Sequence, residues 1–467
     1  GDTMQGGAGC WTGRKRKAVN PGGNLCRLFF IHIRIRALEK FIVEGGNPVS
    51  GEIIPSGNKN EALPALAAVL LTDEPVILRN IPDINDIRDM ILMLEMLGVQ
   101  VTRLDGTTWR FEAKGELSER PESHIARRIR GSFLMAAPLL HRVGSVILPS
   151  PGGDRIGLRR LDTHLLVLTK LGAEVEIRTG RVYRFTLPRN RFESAPIFLD
   201  EASVTATENA IMAAVVAKGT TFLENAACEP HVQGLCHMLV SMGARIEGIG
   251  TNRLTIEGVD RLKGCDHTLM ADHTEVGSFI GLAAVTGGEL LIKNAGLENL
   301  RMTRMVFGRL GVETVAEGPH LRVPANQELV IRMELEGAIP KIDDGPWPAF
   351  PSDLTSIAIV VATQCTGTVL VFEKMFENRL FWVDRLMSMG ARVVLCDLHR
   401  VVVAGPSRLT PATITTPDIR AGMALLIAAL GAKGTSEIQN IHQIDRGYAA
   451  IDTRLNALGA NIRRETV

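Results

Sequence analysis

Hydrophobic residues along the chain follow two periods in alternation. Short stretches such as Gly51-Glu52-Ile53-Ile54, Glu174-Val175-Glu176-Ile177 and Thr221-Phe222-Leu223 alternate apolar with polar, and a period of two predicts strands with one face buried. Between them lie helical patterns. Those over 62–71, 211–219 and 424–434 are apolar on nearly every side, which predicts helices buried all round. A second set of helical patterns ends in one recurring tripeptide: Leu97-Gly98-Val99, Leu171-Gly172-Ala173, Met242-Gly243-Ala244, Leu310-Gly311-Val312, Met389-Gly390-Ala391 and Leu458-Gly459-Ala460. Glycine suits the left-handed position that ends a helix before the chain turns into a strand. Six units of roughly 70 residues follow, too long for common solenoid repeats and fitting compact α/β subdomains. They divide into two domains of three, with Asp260-Arg261-Leu262-Lys263-Gly264 as a plausible crossover.

One loop breaks this regularity. After the strand-like Ser145-Val146-Ile147-Leu148 comes Pro149-Ser150-Pro151-Gly152-Gly153-Asp154-Arg155-Ile156-Gly157-Leu158-Arg159-Arg160, leading into a helical pattern over 161–171. Its prolines and glycines exclude a regular helix or ladder strand. Such a loop suits closure over an anionic small molecule, with Asp154 moving protons beside it; a solvated surface turn has the same composition.

Composition narrows the chemistry. The chain has 467 residues, 45% hydrophobic but only 4% aromatic, which fits aliphatic α/β packing. Its 52 Lys+Arg nearly cancel 51 Asp+Glu, so no global basic field favours nucleic acid or an anionic membrane. Anion binding must come from local clusters. The seven cysteines are scattered with no Cys-x-x-Cys pair, which predicts reduced thiols in a cytoplasmic protein rather than disulfides or a zinc site. No apolar run approaches the ~20 residues that span a bilayer. The first 37 residues, Gly-rich and carrying Arg14-Lys15-Arg16-Lys17, read as a disordered leader or an over-extended start of the reading frame.

Other candidates also sit in loops. Ser56-Gly57-Asn58-Lys59-Asn60-Glu61 precedes a buried helix, where free N–H groups and the helix dipole favour an anion, or where Asn58 simply caps. Arg127, Arg128 and Arg130 precede Gly131-Ser132; His273-Thr274-Glu275 and Asp418-Ile419-Arg420 hold similar places in later units. Asp353 in Pro351-Ser352-Asp353 heads another helix, as a cap or as a base. Phe376-Glu377-Asn378-Arg379 and His442-Gln443-Ile444-Asp445-Arg446 each read as burying a charged pair within the loop. Neither a Walker loop nor Gly-x-Gly-x-x-Gly nor His-Glu-x-x-His is present, so no cofactor or metal is expected. What remains is dispersed Lys and Arg, suited to phosphate and carboxylate, with isolated carboxylates to move protons.

Taken together, Gly57-Asn58-Lys59-Asn60, Pro151-Gly152-Gly153-Asp154-Arg155-Ile156-Gly157, Phe350-Pro351-Ser352-Asp353, Phe376-Glu377-Asn378-Arg379 and His442-Gln443-Ile444-Asp445-Arg446-Gly447-Tyr448 resemble the UDP-N-acetylglucosamine 1-carboxyvinyltransferases. These are enolpyruvyl transferases of the EPSP synthase superfamily, and this chain resembles the form with Asp in place of Cys. The resemblance covers about 38–464. It implies two inside-out α/β barrel domains, each of three repeated βα subdomains, joined by a double-crossing hinge: 38–58 plus 271–467 as one domain, 59–270 as the other. It further implies transfer of the enolpyruvyl group of phosphoenolpyruvate to the 3′-hydroxyl of UDP-N-acetylglucosamine, releasing phosphate, early in peptidoglycan synthesis.

By position, the resemblance makes Asp154, Lys59, Asp353 and Arg446 catalytic. Asp154 would protonate C3 and Asp353 would take the hydroxyl proton, while Lys59, Arg159 and Arg446 hold phosphoenolpyruvate beside Asn60. Arg130, Arg159, Arg160, Leu161, Asp162, Thr163, His164, Ser203, Val204, Met375, Arg379 and Arg420 complete the expected substrate contacts. The loop is expected to close when the sugar nucleotide binds. Departures from the family pattern are Asp154 for Cys, Arg160 for Pro, Glu201 for Lys and His273 for Arg. They leave open a related enzyme with another hydroxyl acceptor, or a catalytically silent binding protein.

Overall fold

The computed structural model describes residues 39–154 and 156–466. The expected leader, 1–37, lies outside the described residues, as do Leu38, Arg155 and Val467.

Among the described residues six sheets form, one for each unit read from the repeat. Five have four strands and one has three. Every four-stranded sheet combines three antiparallel strands with one parallel edge strand. In one of them, Thr220–Glu224 pairs antiparallel with Arg253–Glu257 and parallel with Pro196–Phe198. The glycine signal holds at all six tripeptides: Gly98, Gly172, Gly243, Gly311, Gly390 and Gly459 take φ between +83° and +107°. This is the left-handed region, which only glycine enters without steric cost.

The apolar helices lie inside and the sheets outside. His273–Thr286, Thr355–Gln364 and Ile419–Gly431 pack on one another in one core. Gly281 permits the approach, because a Cβ there would stand 2.4 Å from Ile357 Cγ2. Lys59–Ala68, Ala136–Val143 and Val204–Ala214 occupy a second core. That core gathers buried side chains from Ala62 to Leu269, whereas the other gathers Phe41, Val43, Val49 and Ile53 with residues from Val276 to Ile462. The early strands explain the mixture. Glu39–Gly45 lies between Gly434–Gln439 and Asn461–Thr466, and Gly51–Ile53 pairs parallel with Leu290–Ile292.

The crossover differs from the one read at 260–264. Leu262 is buried in the first core, and Cys265–Thr268 pairs parallel with Val76–Arg79 of that same core. The chain passes over at Met270 to Asp272 instead, alongside Ser56 to Asn58. There Asn58 N donates to Met270 O at 2.8 Å and Asp272 N to Ser56 O at 2.9 Å, around a Gly57–Ala271 bridge. A glycine is required at position 57, since a Cβ would lie 1.7 Å from Asn80 O.

Candidate active site

Beside this double passage, the helix Lys59–Ala68 begins with Asn58 as its cap. Asn58 Oδ1 accepts from Asn60 N at 2.8 Å and Glu61 N at 3.1 Å. The expected cap is therefore real, and it aims Lys59 and Asn60 into a cavity of about 240 Å³. Lys59 Nζ lies 2.7 Å from Asp86 Oδ2. Asp86, in the first turn of Asn85–Leu97, also receives Arg446 Nε at 2.8 Å and Nη2 at 3.2 Å. Arg446 Nη1 in turn bonds Asp154 and, at 2.8 Å, Gln443 Oε1. Two cations and two carboxylates thus form one chain, Lys59–Asp86–Arg446–Asp154. Burial opposes the charge of Asp86, but Lys59 and Arg446 outweigh it and hold its carboxyl below the usual range. Burial likewise works against Arg446, yet Asp154 and Asp86 keep it firmly protonated.

A second cluster lines the same cavity. Asp353, in a short turn before Thr355–Gln364, bonds Arg379 Nη2 at 2.6 Å through Oδ1 and Arg420 Nε at 3.0 Å through Oδ2. Burial would raise its pKa, but Arg420 and Arg379 push it far below the ordinary carboxylate value. It is held ionised. Arg130 is pulled down to about 10 by burial and by Arg159, with Glu201 opposing. Its guanidinium donates to the carbonyls of Arg159 and Arg160 at 2.9 and 3.0 Å, which fixes the end of the loop.

The loop itself lies against the other core. Asn378 N donates to Ile156 O at 2.9 Å, and Leu158 N donates to Glu377 Oε1 at 2.8 Å. Arg159 stands over the Phe376 ring at 5.9 Å. The loops read as burying internal charged pairs therefore pair outward. Glu377 takes the Leu158 amide and Arg379 takes Asp353, while Asp445 pairs with Arg464 and Arg446 with Asp86.

Of the expected site residues, Lys59, Asn60, Arg130, Asp154, Arg159, Val204, Asp353, Met375, Arg379, Arg420 and Arg446 line this cavity. The others stand behind or beside it. Arg160 pairs with Asp162 at the exposed surface, Leu161 packs into the core, and Thr163 bonds Asp200 at 2.9 Å. Ser203 precedes Val204–Ala214 without a capping side-chain bond. His164 is the clearest difference. It is buried between Thr205 and Asn209, both at 3.0 Å, and burial pushes it down to about 3. Its neighbours satisfy the ring, so the side chain holds two helices together instead of facing the cavity.

Sequence reasoning missed Asp86, Glu208, Glu229 and His231, which also line the cavity. Asp86 left a signal: it shares a helix face with Met90, Met93 and Leu97, all buried. A carboxylate in an apolar stripe needs a buried cation. Burial raises Glu208 well above its ordinary value, raises Glu229 as well, and pushes His231 down to about 3, so charge is disfavoured along that part of the lining.

With this geometry in hand, the family model for EPSP synthase (3-phosphoshikimate 1-carboxyvinyltransferase) matches residues 43–455. The chain belongs to the EPSP synthase family. Within that family it is 54% identical to the UDP-N-acetylglucosamine 1-carboxyvinyltransferase of Bradyrhizobium diazoefficiens, over 91% of this chain and 98% of the relative. It is 51% identical to the protein of that name from Treponema denticola, over 91% and 99%. The solved enolpyruvyl transferase NikO from Streptomyces tendae shares the EPSP synthase family fold at a TM-score of 0.81 and 24% identity, over 92% of this chain and all of that one. EPSP synthase from Acinetobacter baumannii superposes at 0.71 with 15% identity, over 91% and 100%. The two-domain α/β architecture expected from the resemblance is thus that of the EPSP synthase family.

Proposed function

We propose that this chain transfers the enolpyruvyl group of phosphoenolpyruvate to the 3′-hydroxyl of UDP-N-acetylglucosamine, releasing phosphate for peptidoglycan precursor synthesis. The observation that carries the chemistry is one cavity holding two kinds of charge cluster. Lys59 and Arg446, with Arg159 nearby, surround the space next to Asp154, while Asp353 is fixed between Arg379 and Arg420. Relatives about half identical to the chain supply the acceptor.

Lys59, Arg159 and Arg446 bind phosphate and carboxylate, beside Asn60. Asp154 gives a proton to C3 of the enol, the 3′-oxygen bonds to C2, and Asp353 takes the hydroxyl proton. The tetrahedral ketal then expels phosphate, which takes up the proton that Asp353 received, and C3 returns its proton to Asp154. Preorganised cations stabilise the charge that develops on phosphate and carboxylate, a leading contribution in such sites. Arg130 and Val204 contact the sugar nucleotide with Met375, and the 160–163 segment and Ser203 contribute from beside the cavity. The same reading divides the chain into 38–58 plus 271–467 and 59–270, with closure about the double passage. It places the protein in the cytoplasm, serving wall growth and hence cell shape and division, and makes it resistant to fosfomycin. Among the described residues no helix is long and apolar enough to cross a membrane.

The test is phosphate release from phosphoenolpyruvate with purified protein and UDP-N-acetylglucosamine, shikimate 3-phosphate or no acceptor. Turnover with the first alone supports the reading. Turnover only with another acceptor, or none at all, removes it.

The docked loop gives a further expectation. Glu377→Ala deletes the acceptor of the Leu158 amide, a charge-assisted bond worth roughly 1.5–3 kcal/mol. Limited proteolysis between 150 and 160 should then run on the order of tenfold faster than in the wild type, and saturating sugar nucleotide should slow it. Equal cleavage rates in both proteins would show that Glu377 does not hold the loop.

A further inference from the structure

Behind Asp353 lies a carboxyl that the mechanism above does not use. Glu373 directly follows the strand Gly367–Phe372 and is 0% exposed. Its Oε1 accepts from Ser352 Oγ at 2.7 Å. Ser352 Oγ in turn receives Arg379 Nε at 3.2 Å, and Arg379 Nη2 bonds Asp353 Oδ1. Ser352 spends its one proton on Glu373, so it meets Arg379 as an acceptor. The direction of the relay is thereby set.

The other side of Glu373 is unusual. Its Oε2 and Asp344 Oδ2 are both buried without a donor, although the two carboxyls interact. Two acceptors can bond only if a proton sits between them, and two bare carboxylates buried together would repel. Burial, with Asp344 adding and Arg379 opposing, pushes Glu373 up to about 8. The groups facing it from the surrounding elements are Asp344, Arg379 and, through Ser352, Asp353. His399 meets its backbone, Nδ1 lying 2.7 Å from Glu373 O, and Lys374, next in the chain, turns to Asp343.

We propose that Glu373 and Asp344 share one proton behind the cavity wall, and that this pair positions Arg379, and with it the base Asp353, through Ser352. Glu373 is a positioning residue, because it touches no substrate. While the proton is held, Glu373 places one modest demand on Ser352, and Arg379 keeps its charge directed at Asp353. When the proton leaves, a second buried negative charge competes for Arg379, and Asp353 loses its alignment.

The role in turnover rests on the reaction proposed above, so the test has one arm without activity. In that arm, the infrared difference between wild type and Glu373→Gln at neutral pH should show a protonated-carboxyl band belonging to the wild type that fades above pH ~9, as expected for a buried acid titrating far above a free one. Absence of the band overturns the shared proton, whatever the acceptor proves to be. In the second arm, the acceptor that the wild type turns over is used. Glu373→Ala should lower kcat on the order of tenfold with little change in the KM for phosphoenolpyruvate, the usual cost of an unsatisfied buried partner. Glu373→Gln, whose amide donates to Asp344 and accepts from Ser352, should restore most of kcat and move the alkaline limb of the profile to higher pH. A Gln variant whose pH profile superimposes on that of the wild type would sink the positioning role, even if Ala is impaired. Failure of the proposed acceptor instead appears as wild-type turnover only with a different hydroxyl.

Discussion

Asp154→Asn should lose turnover by roughly 10²–10⁴-fold, the usual contribution of a positioned acid. The amide keeps the shape of the side chain but has no acidic proton to give C3. In the structure Asp154 is paired with Arg446, which also holds Asp86 and Gln443. Phosphoenolpyruvate brings a phosphate that competes for Arg446 and Lys59. That competition would free the Asp154 carboxyl from its cation as the enol arrives beside it. Asp154→Cys, the family's other residue, should keep activity within about tenfold, since a thiol also transfers protons. The same exchange should decide the response to fosfomycin. A thiolate opens the epoxide readily, whereas a carboxylate is a poor nucleophile. Intact-mass spectrometry after fosfomycin treatment should find no adduct on the wild type and one adduct on Asp154→Cys. An adduct on wild-type Asp154 would refute this account of the loop.

Lys59→Ala should cost about 2–5 kcal/mol in kcat/KM for phosphoenolpyruvate, the range for truncating one partner of a buried charge pair. That is a loss between roughly thirtyfold and a few thousandfold. Two effects add. The phosphate loses a cation that Asn58 capping has already aimed, and Asp86 is left buried with Arg446 as its one strong counter-charge. Arg446 would then be drawn further towards Asp86 and away from the substrate. Steady-state kinetics with purified variant checks it, and activity within about threefold of wild type would take Lys59 out of the mechanism. Circular dichroism at the assay temperature should show the variant folded, because Lys59 sits at the cavity edge of its helix and not in the apolar core.

Much of the architecture was legible because it repeats. A left-handed glycine between a helix and a strand leaves the same mark six times, and all-apolar helices can only be central. The loop motifs, read through the family resemblance, likewise pointed to Lys59, Asp154, Asp353 and Arg446, which line one cavity. What stayed hidden depended on partners distant in sequence. Asp86 looks like an ordinary first-turn acid until Lys59 and Arg446 arrive from two other segments. Glu373 looks like the polar end of a strand until Asp344 and Ser352 close over it. His164 misled for the opposite reason: a histidine two residues into a helix beside a charged loop resembles a ligand contact, but Asn209 and Thr205 satisfy it from inside. The crossover was misplaced because charge and glycine at 260–264 look like a linker. The real passage is a few residues of paired backbone, which leaves almost no compositional trace.

The placement of Glu39–Gly45 between Gly434–Gln439 and Asn461–Thr466 also orders events during synthesis. The first core draws on a continuous stretch from Ala62 to Leu269, so it is complete once that stretch has left the ribosome. The earlier strands have no such partners yet. At roughly 5–20 residues per second, Glu39–Gly45 waits some tens of seconds with both hydrogen-bonding edges bare. Its alternation of Phe41 and Val43 with Lys40 and Glu44 then serves a second purpose. The charges discourage other nascent strands from adding to those edges until Asn461–Thr466 arrives to claim one of them.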